Sequence, residues 1–340
     1  GFDYSASFIG QGRYRDCPIE INGKETPTQG WVDDVATDYA IAFLRQHRTE
    51  AFSLVVGFKA CHGPFDPPER ARSRFAGATA RTVPNYGLRA VYREGQNEPE
   101  TKAATKSEVA VNLDYFRCIS AADDNLGRLL QVLDELGLAD DTVVVFSSDN
   151  GYYLGEHNLG DKRSAYDESL RIPMLIRYPR ALPRGAVRDE MVLNLDLAPT
   201  WLDFAGLKAP ASMQGRSWKP LLTSPGTAWR NSFLAEYFAE AAYPQTPTLV
   251  ALRTANAKLI RYPGHEEWTE VFDLTADPYE TRNLAREPAQ RELRARLEAE
   301  FEAQVKATQF AIPSYADGPA ELASGAQKKA KKKAAKDAKE

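Results

Sequence analysis

The amino-acid sequence predicts an α/β fold in two parts: a mostly parallel sheet flanked by helices, then a smaller α+β region with an antiparallel sheet. In the first part, short apolar segments rich in β-branched residues alternate with long amphipathic segments, which is the pattern of strands covered on both faces. Beyond about Gly226 the strands become short, with polar turns roughly every ten residues, as in antiparallel sheets. The length of 340 residues, 43% of them apolar, suits about two ordinary domains.

The first third of the chain contains one predicted helix and one predicted strand. Residues 1–30 are rich in glycine, proline and polar residues and predict irregular structure. Apolar residues recur at spacings of three and four over 32–48, which predicts an amphipathic helix, and the run AFSLVVGF at 51–58 predicts a buried strand. A proline-rich loop follows this strand. The mostly polar residues 70–105 predict a long surface excursion.

The longest helical pattern occupies residues 107–136, and Gly137 directly after it is a natural helix C-cap. Four further elements complete the first part: strands at 141–148 and 173–178, a short helix near 163–170 and a helix at 196–205. The near-continuous apolar strands indicate a largely parallel sheet.

The second part is predicted to contain four short strands, a final helix and a tail. The strands lie at 231–237, 249–253, 257–262 and 270–274, and the helix lies at about 288–307. Residues from Ala323 onward lack an apolar face and are expected to be disordered. The predicted domains are therefore 1–226, 227–315 and, for the Lys/Ala-rich tail, 316–340.

Composition excludes several classes of function. The net charge is −4 although the last thirteen residues hold seven lysines, so the body is acidic and a nucleic acid is not an expected partner. Cys17, Cys61 and Cys118 are far apart and form no CxxC pair, which argues against a zinc site or a disulfide framework. The sequence contains no uninterrupted apolar run of about 18 residues, so it predicts no membrane-spanning helix. The basic tail at 328–339 either docks on an anionic surface or is a solvated extension, and the second interpretation is favoured.

Polar clusters follow two of the predicted strands. Lys59 and His62 come after strand 51–58, and Asp149 and Asn150 come after strand 141–148. Ligands of open α/β sheets collect outside the carboxyl ends of the strands, so both clusters are expected to face one crevice. A carboxylate and an amide oxygen suit Ca²⁺ or Mg²⁺ better than zinc. Asp-Asn-Gly is also a common turn, and two oxygens cannot complete a calcium shell, so further ligands must come from elsewhere.

The loop at 155–163, GEHNLGDKR, places His157, Lys162 and Arg163 beside this expected metal. A site for a tetrahedral oxyanion needs cations around the charged oxygens and an imidazole to move a proton. Each basic residue alone would be read as an exposed charge, and His62 alone as a structural histidine. Their joint occurrence at two strand ends favours a catalytic site.

Several segments resemble motifs of the sulfatase family. Residues 147–157, SSDNGYYLGEH, with Asp161-Lys162 and the segment at 168–173, resemble the second half of the sulfatase catalytic domain. The His62-Gly63-Pro64 segment resembles the family's His-x-Pro loop. Weaker matches lie at Gly1–Asp3, Asp196–Thr200, Met213–Ser217 and Phe272–Leu274.

The resemblance implies an alkaline-phosphatase-like fold that hydrolyses sulfate esters with a formylglycine nucleophile and Ca²⁺. By this resemblance Asp149 and Asn150 supply half of the calcium shell, and Lys162 binds the sulfate. His62 acts as an acid or hydrogen-bond donor at the leaving oxygen, and His157 is a further residue of the substrate pocket. The implied substrate is a sulfated small molecule or carbohydrate. Members of the family are commonly periplasmic or extracellular, which leaves the compartment of this chain open.

The formylglycine motif itself does not occur. No cysteine or serine stands in a Cys/Ser-x-Pro-x-Arg context, and the family's aspartate pair and Lys-x-His segment do not occur either. All three belong before the segment that begins at Gly1, so we expect an N-terminally truncated catalytic domain without turnover by itself. The alternatives are a phosphoester or phosphonate hydrolase of the same superfamily and a non-catalytic remnant.

Overall fold

A computed structural model describes residues 1–79, 81, 83–93, 106–224 and 226–313, with the side chains of 106–112 left out. The predicted tail at 316–340 lies outside the described residues. The described chain divides into two compact units. Unit 1 takes its residues from 1–81, 102–145 and 176–184, and unit 2 from 82–101, 146–175 and 185–340. The predicted domain boundary near residue 226 stays a prediction.

Unit 1 begins with a small antiparallel sheet, so the prediction of irregular structure over residues 1–30 is wrong in part. Its strands, in spatial order, are β1 (Ala6–Ser7), β2 (Ile19–Ile21) and β3 (Lys24–Thr26). Asn22 and Gly23 join β2 to β3, both with positive φ. Asn-Gly is the preferred pair for such a hairpin turn. The sequence therefore contained the signal for β2 and β3, in strands too short to show a period of two.

The two long helices of unit 1 confirm the periodicity argument. They are α1 (Val32–Gln46) and α2 (Lys106–Glu135), and they contact each other. Gly137 ends α2 with φ +68°, and Leu138 N–H donates to Leu133 O at 2.9 Å, which closes the helix end as predicted.

Two sequence predictions between these helices are wrong. Residues 51–58 form no strand among the described residues, although exposure alternates from residue to residue along 52–58. An apolar run favours extended backbone, but a strand also needs a hydrogen-bonded neighbour. The second error concerns 70–105, predicted as surface, because Ala90 and Tyr92 lie in a hydrophobic core of unit 2. The remainder of that segment, 94–105, lies outside the described residues.

The strands and helices that frame the predicted site form as expected. β4 (Val144–Ser147) and β5 (Met174–Arg177) pair in a two-stranded sheet. The helices α3 (Asp167–Leu170) and α4 (Leu197–Phe204) also agree with the prediction, and a short α5 (Lys219–Thr223) was not predicted.

A four-stranded antiparallel sheet dominates unit 2, as predicted. Its strands, in both chain and spatial order, are β6 (Ser232–Tyr237), β7 (Leu249–Thr254), β8 (Ala257–Arg261) and β9 (Glu270–Asp273). Alternate residues point to opposite faces. On one face Leu252 and Leu259 pack against α6 (Arg291–Thr308). On the other face Ala251 and Ile260 pack against Tyr153 and Tyr166. The sheet thus supports the segment that contains the predicted site residues.

Within the described part of the chain, every helix is too short or too polar to cross a bilayer. This agrees with the absence of a long apolar run in the sequence.

Candidate active site

Asp149 and Asn150 directly follow β4. The Asp149 side chain is exposed and that of Asn150 is half-buried. Ser148 Oγ–H donates to the Asn150 main-chain oxygen at 2.9 Å, and the Asn150 amide nitrogen Nδ2 donates to Gly151 O at 2.6 Å. Because the amide nitrogen is engaged, the Asn150 oxygen Oδ1 and the Asp149 carboxylate are the donor atoms that this turn offers to a ligand. Both are hard oxygen donors, and their role as metal ligands stays a prediction.

The structure explains why the residue after this pair, Gly151, is a glycine. Its φ is not positive, so a left-handed turn is not the reason. A Cβ at this position would lie 1.9 Å from Glu168 O, which no side chain can occupy. Gly151 N–H donates to Ser169 O at 2.8 Å, and Tyr152 N–H donates to Glu168 O at 2.9 Å. The chain that leaves the Asp-Asn pair therefore packs directly on the backbone of α3.

The backbone around Lys162 is held at three successive carbonyls. Tyr152 Oη–H donates to Gly160 O at 2.8 Å and Tyr153 N–H to Asp161 O at 2.9 Å, and Ser169 Oγ–H donates to Lys162 O at 2.5 Å. The ammonium of Lys162 makes no hydrogen bond or ion pair with any other residue that the structure describes. A fixed backbone with an uncompensated, half-buried cation is suited to binding an anion.

Arg163 differs from its neighbour. Its guanidinium carbon lies 3.3 Å from the centre of the Tyr243 ring, and its Nε lies 3.2 Å from Glu240 Oε1. Burial would lower the pKa of this guanidinium, but Glu240 and the tyrosine raise it above its ordinary value. Arg163 is therefore a charge already neutralised within unit 2, and Lys162 is the cation left for a ligand.

His157 lies inside unit 2, with 1% of its surface exposed. Its ring stacks on Tyr166 at 3.6 Å between centroids, and Nε2 lies 3.1 Å from Asn85 Nδ2. Burial lowers the pKa of His157 to about 3, with Lys258 acting in the same direction, so the ring is neutral at physiological pH. The backbone of His157 has φ +50°. These contacts show a histidine that holds its own loop, and its contact with substrate stays a prediction.

His157, Glu168 and Glu280 bring possible metal-ligand atoms within 4.8 Å of one another. An N–H donor lies close to one atom of each residue, while Glu168 Oε2 is buried without a hydrogen-bond partner among the described residues. Asn85 Nδ2 donates to His157 Nε2 and also to Glu168 Oε1 at 2.6 Å, and the Lys258 ammonium lies 2.6 Å from Glu280 Oε1. The cluster is a buried hydrogen-bonded network, and the cation inside it is a lysine. Sequence reasoning missed Asn85, Glu280 and Lys258 as part of this region, and it included Glu168 only within the matched segment at 168–173, without a role.

Asp167, the first residue of α3, anchors the helix to the sheet. Arg253 forms two hydrogen bonds to its carboxylate, at 3.1 and 3.0 Å, and the buried Lys258 ammonium forms a third at 2.7 Å. Burial alone would raise the pKa of Asp167, but Lys258 and Arg253 lower it to about 2. Lys258 also pairs with Glu280, whose Oε2 accepts from Asp167 N–H at 2.7 Å. The start of α3 is thus fixed by charges from two strands and a loop.

The other predicted catalytic residue, His62, belongs to unit 1 and is exposed. Its Nδ1 lies 2.7 Å from Gly63 O. Because a carbonyl only accepts, Nδ1 carries the proton and Nε2 is the nitrogen available to another group. The nearby Lys59 is buried and donates to Gln11 O at 2.7 Å. Asp149, Asn150 and Lys162 belong to unit 2, and the convergence of His62 with them stays a prediction.

Comparison with known proteins gives two family matches. The family model described as Sulfatase matches residues 1–207. The model described as N-sulphoglucosamine sulphohydrolase, C-terminal, matches residues 155–307. Together they cover both the predicted site and the antiparallel sheet.

Individual proteins agree with these matches. The N-acetylglucosamine-6-O-sulfatase of Bacteroides thetaiotaomicron is 35% identical over 356 residues, an alignment covering 84% of this chain and 63% of that protein. A structure solved in complex with its substrate, D-glucosamine-2-N,6-O-disulfate, superposes with a TM-score of 0.81 at 27% identity, over 90% of this chain and 76% of the other.

The phosphonate monoester hydrolase of Silicibacter pomeroyi shares the fold at a TM-score of 0.67 and 21% identity, over 90% of this chain and 66% of its own. The predicted alkaline-phosphatase-like fold is thereby confirmed. Since the sulfatase model covers more than half of the chain, the protein belongs to the sulfatase family.

Proposed function

We propose that this chain provides the sulfate-binding and metal-binding residues of a sulfuric ester hydrolase that acts on a 6-O-sulfated amino sugar. One observation carries the proposal: the uncompensated Lys162 ammonium, with its backbone fixed, follows the oxygen donors Asp149 and Asn150 in one compact loop. The sugar is suggested by the relative, since that protein is an N-acetylglucosamine-6-O-sulfatase. The chain spans 63% of that relative's length. The substrate is therefore a proposal drawn from the relative's activity.

The donor atoms fit Ca²⁺. Asp149 offers an exposed carboxylate, and Asn150 offers Oδ1 because its Nδ2 is bonded to Gly151 O. Hard oxygen donors are the ligands that calcium selects, and the two residues would supply part of its shell of six to eight oxygens. When bound, the ion would stabilise negative charge on the sulfate oxygens.

The protein side chains have separate roles in this proposal. Lys162 donates hydrogen bonds to the sulfate oxygens and balances their charge. His62, with Nδ1 held by Gly63 O, presents Nε2, which in the protonated ring donates to the leaving oxygen. His157 supports the loop from inside, since its imidazole is buried and neutral.

The nucleophile is not among these residues. The family's formylglycine arises from a Cys/Ser-x-Pro-x-Arg motif, and none occurs in the 340 residues. We therefore expect the chain to bind a sulfated sugar in the presence of Ca²⁺ without releasing sulfate. Measurable hydrolysis of an aryl sulfate by the 340-residue protein would contradict this expectation.

Calorimetry tests the binding site. N-acetylglucosamine-6-sulfate and unsulfated N-acetylglucosamine are titrated into the chain with Ca²⁺, and into Lys162→Ala. Hydrogen bonds to charged groups contribute roughly 1.5–3 kcal/mol, so the variant should bind the sulfated sugar at least about tenfold more weakly. Lys208→Ala, which removes an exposed lysine of the same unit, is the matched control. Equal binding of both sugars, or an equal loss in the control, would refute the proposal.

The alternative substrate is a phosphate or phosphonate monoester, favoured by the fold shared with the phosphonate hydrolase. Both anions are tetrahedral and both would contact Lys162. Tighter binding of N-acetylglucosamine-6-phosphate than of the 6-sulfate in the same titration would support the alternative. A non-catalytic remnant would bind neither.

A further inference from the structure

We propose that Ser169 is a positioning residue that fixes Lys162 relative to the Asp149-Asn150 pair. The inference rests on the proposed function, because it assigns a reason for the spacing of the proposed sulfate and metal ligands. In this proposal Ser169 binds neither the sulfate nor the metal ion directly. It acts through two hydrogen bonds, one to each of the two segments.

The first hydrogen bond uses the side chain. Ser169 is buried, with 6% of its surface exposed, and its Oγ–H donates to Lys162 O at 2.5 Å. The two residues are seven positions apart. The bond therefore joins Lys162, at the beginning of the short connection to α3, to Ser169 within that helix. The bond fixes the main chain from which the Lys162 side chain extends.

The second hydrogen bond uses the main chain. Ser169 O accepts from Gly151 N–H at 2.8 Å, and Gly151 is covalently joined to Asn150. The contact at Gly151 is so close that no Cβ would fit there. One residue therefore holds the metal-ligand segment through its carbonyl and the lysine segment through its hydroxyl.

Ser169 is itself held firmly. Its N–H donates to Tyr166 O at 3.0 Å, and Tyr166 is buried with its hydroxyl 3.0 Å from Glu270 on β9. Asp167 on the same short helix is bonded to Arg253 on β7 and Lys258 on β8. The position of Ser169 is thus set by the antiparallel sheet, and through Ser169 the sheet sets the position of Lys162.

Removing the hydroxyl should affect the two segments differently. In Ser169→Ala the Lys162 carbonyl loses its donor, so the segment at 160–163 should become more mobile. The bond between Ser169 O and Gly151 N–H remains, because it belongs to the main chain. We therefore expect Ser169→Ala to bind the sulfated sugar about tenfold more weakly than the wild type. Binding of Ca²⁺, measured without the sugar, should be unchanged.

A double-mutant cycle tests whether Ser169 acts through Lys162. Affinity for N-acetylglucosamine-6-sulfate is measured for wild type, Ser169→Ala, Lys162→Ala and the double variant. If Ser169 acts through the lysine, the double variant should bind no more weakly than Lys162→Ala alone. Ser232→Ala is the matched control. Ser232 lies on the edge strand β6, it is also buried, and its Oγ–H donates to Glu300 Oε1 at 2.5 Å. An additive loss, or a tenfold loss in the control, would overturn the inference.

Amide hydrogen exchange separates this inference from the proposed function. Exchange at residues 160–163 should be faster in Ser169→Ala than in wild type and unchanged in Ser232→Ala, whatever the ligand. Unchanged exchange overturns the inference even if the sugar binds, and absence of sulfate-dependent binding in wild type refutes the proposed function instead. If Ser169→Ala does not fold, Ser169→Cys, which keeps the size and weakens the donor, is measured in the same way.

Discussion

Glu270 on β9 is a buried carboxyl group with unusual surroundings. Tyr262 Oη–H donates to Oε1 at 2.7 Å, and the Tyr166 hydroxyl lies 3.0 Å from both oxygens. Burial raises the pKa of Glu270 from 4.5 to about 8, although the two hydroxyls and Lys258 lower it, while Glu280 raises it further. The folded protein therefore keeps a proton on Glu270 at neutral pH, where the unfolded chain has released it.

This difference predicts how stability depends on pH. The contribution of Glu270 is fully present below pH 4.5 and is lost as the pH rises to about 8, because only the folded state holds the proton in that window. Each pKa unit corresponds to about 1.4 kcal/mol, so the whole shift amounts to about 5 kcal/mol. Glu270→Gln cannot ionise and should remove this dependence.

Urea unfolding followed by circular dichroism between pH 5 and pH 8 measures the effect. The free energy of unfolding of the wild type should fall relative to that of Glu270→Gln by about 1.4 kcal/mol per pH unit. Glu302→Gln, a change at an exposed glutamate of α6, should leave the slope of the wild type unchanged. Parallel curves for wild type and Glu270→Gln would refute the assignment of a buried, protonated Glu270.

Three further predictions concern the loop and its supports. Gly151→Ala should destabilise unit 2 by at least about 3 kcal/mol in urea unfolding, because the new Cβ would lie 1.9 Å from Glu168 O. Asp167→Asn should cost about 3–5 kcal/mol in the same assay, since it leaves the buried Lys258 without one of its carboxylates. Calcium binding at the proposed site should stabilise the wild type by about 2.7 kcal/mol at one hundred times the dissociation constant, seen as a rise in melting temperature, and Asp149→Asn should abolish that rise.

Each of these changes has a matched control. Gly160→Ala adds a methyl group where no atom lies within 4 Å and should be nearly neutral. Asp134→Asn alters an exposed aspartate paired with an arginine and should cost less than about 1 kcal/mol. Asp140→Asn alters an exposed aspartate outside the proposed site and should leave the calcium effect intact. A control that behaves like its partner would contradict the corresponding prediction.

Local patterns predicted most of the elements. The helices at 32–46 and 106–135 have a clear period of three to four residues, and the four strands of the C-terminal sheet are separated by polar turns. Residues 51–58 show the limit of such patterns. Their apolar run is real, yet they make no strand in the described structure, because pairing depends on a second segment that the run itself does not specify.

The candidate site also contains residues that the sequence could indicate and residues that it could not. Asp149, Asn150, His157 and Lys162 could be proposed from the sequence because they lie within fourteen residues and have the chemistry expected of an oxyanion site. Their supports could not be found, since Asn85 and the charged residues of the sheet are remote in the chain. A buried lysine such as Lys258 also looks like any exposed lysine until its carboxylate partners are placed.

The order of residues alone indicated the family, the long helices, the strands of the C-terminal sheet, and the chemical types that we propose for binding a sulfate ester. Tertiary structure decided which basic group is left for a ligand. It neutralised Arg163 with Glu240 and buried His157 against Tyr166, and it left the Lys162 ammonium without an ionic partner among the described residues. The reason is physical: the ionisation and availability of a side chain depend on burial and on neighbouring charges, which chain folding brings from distant positions.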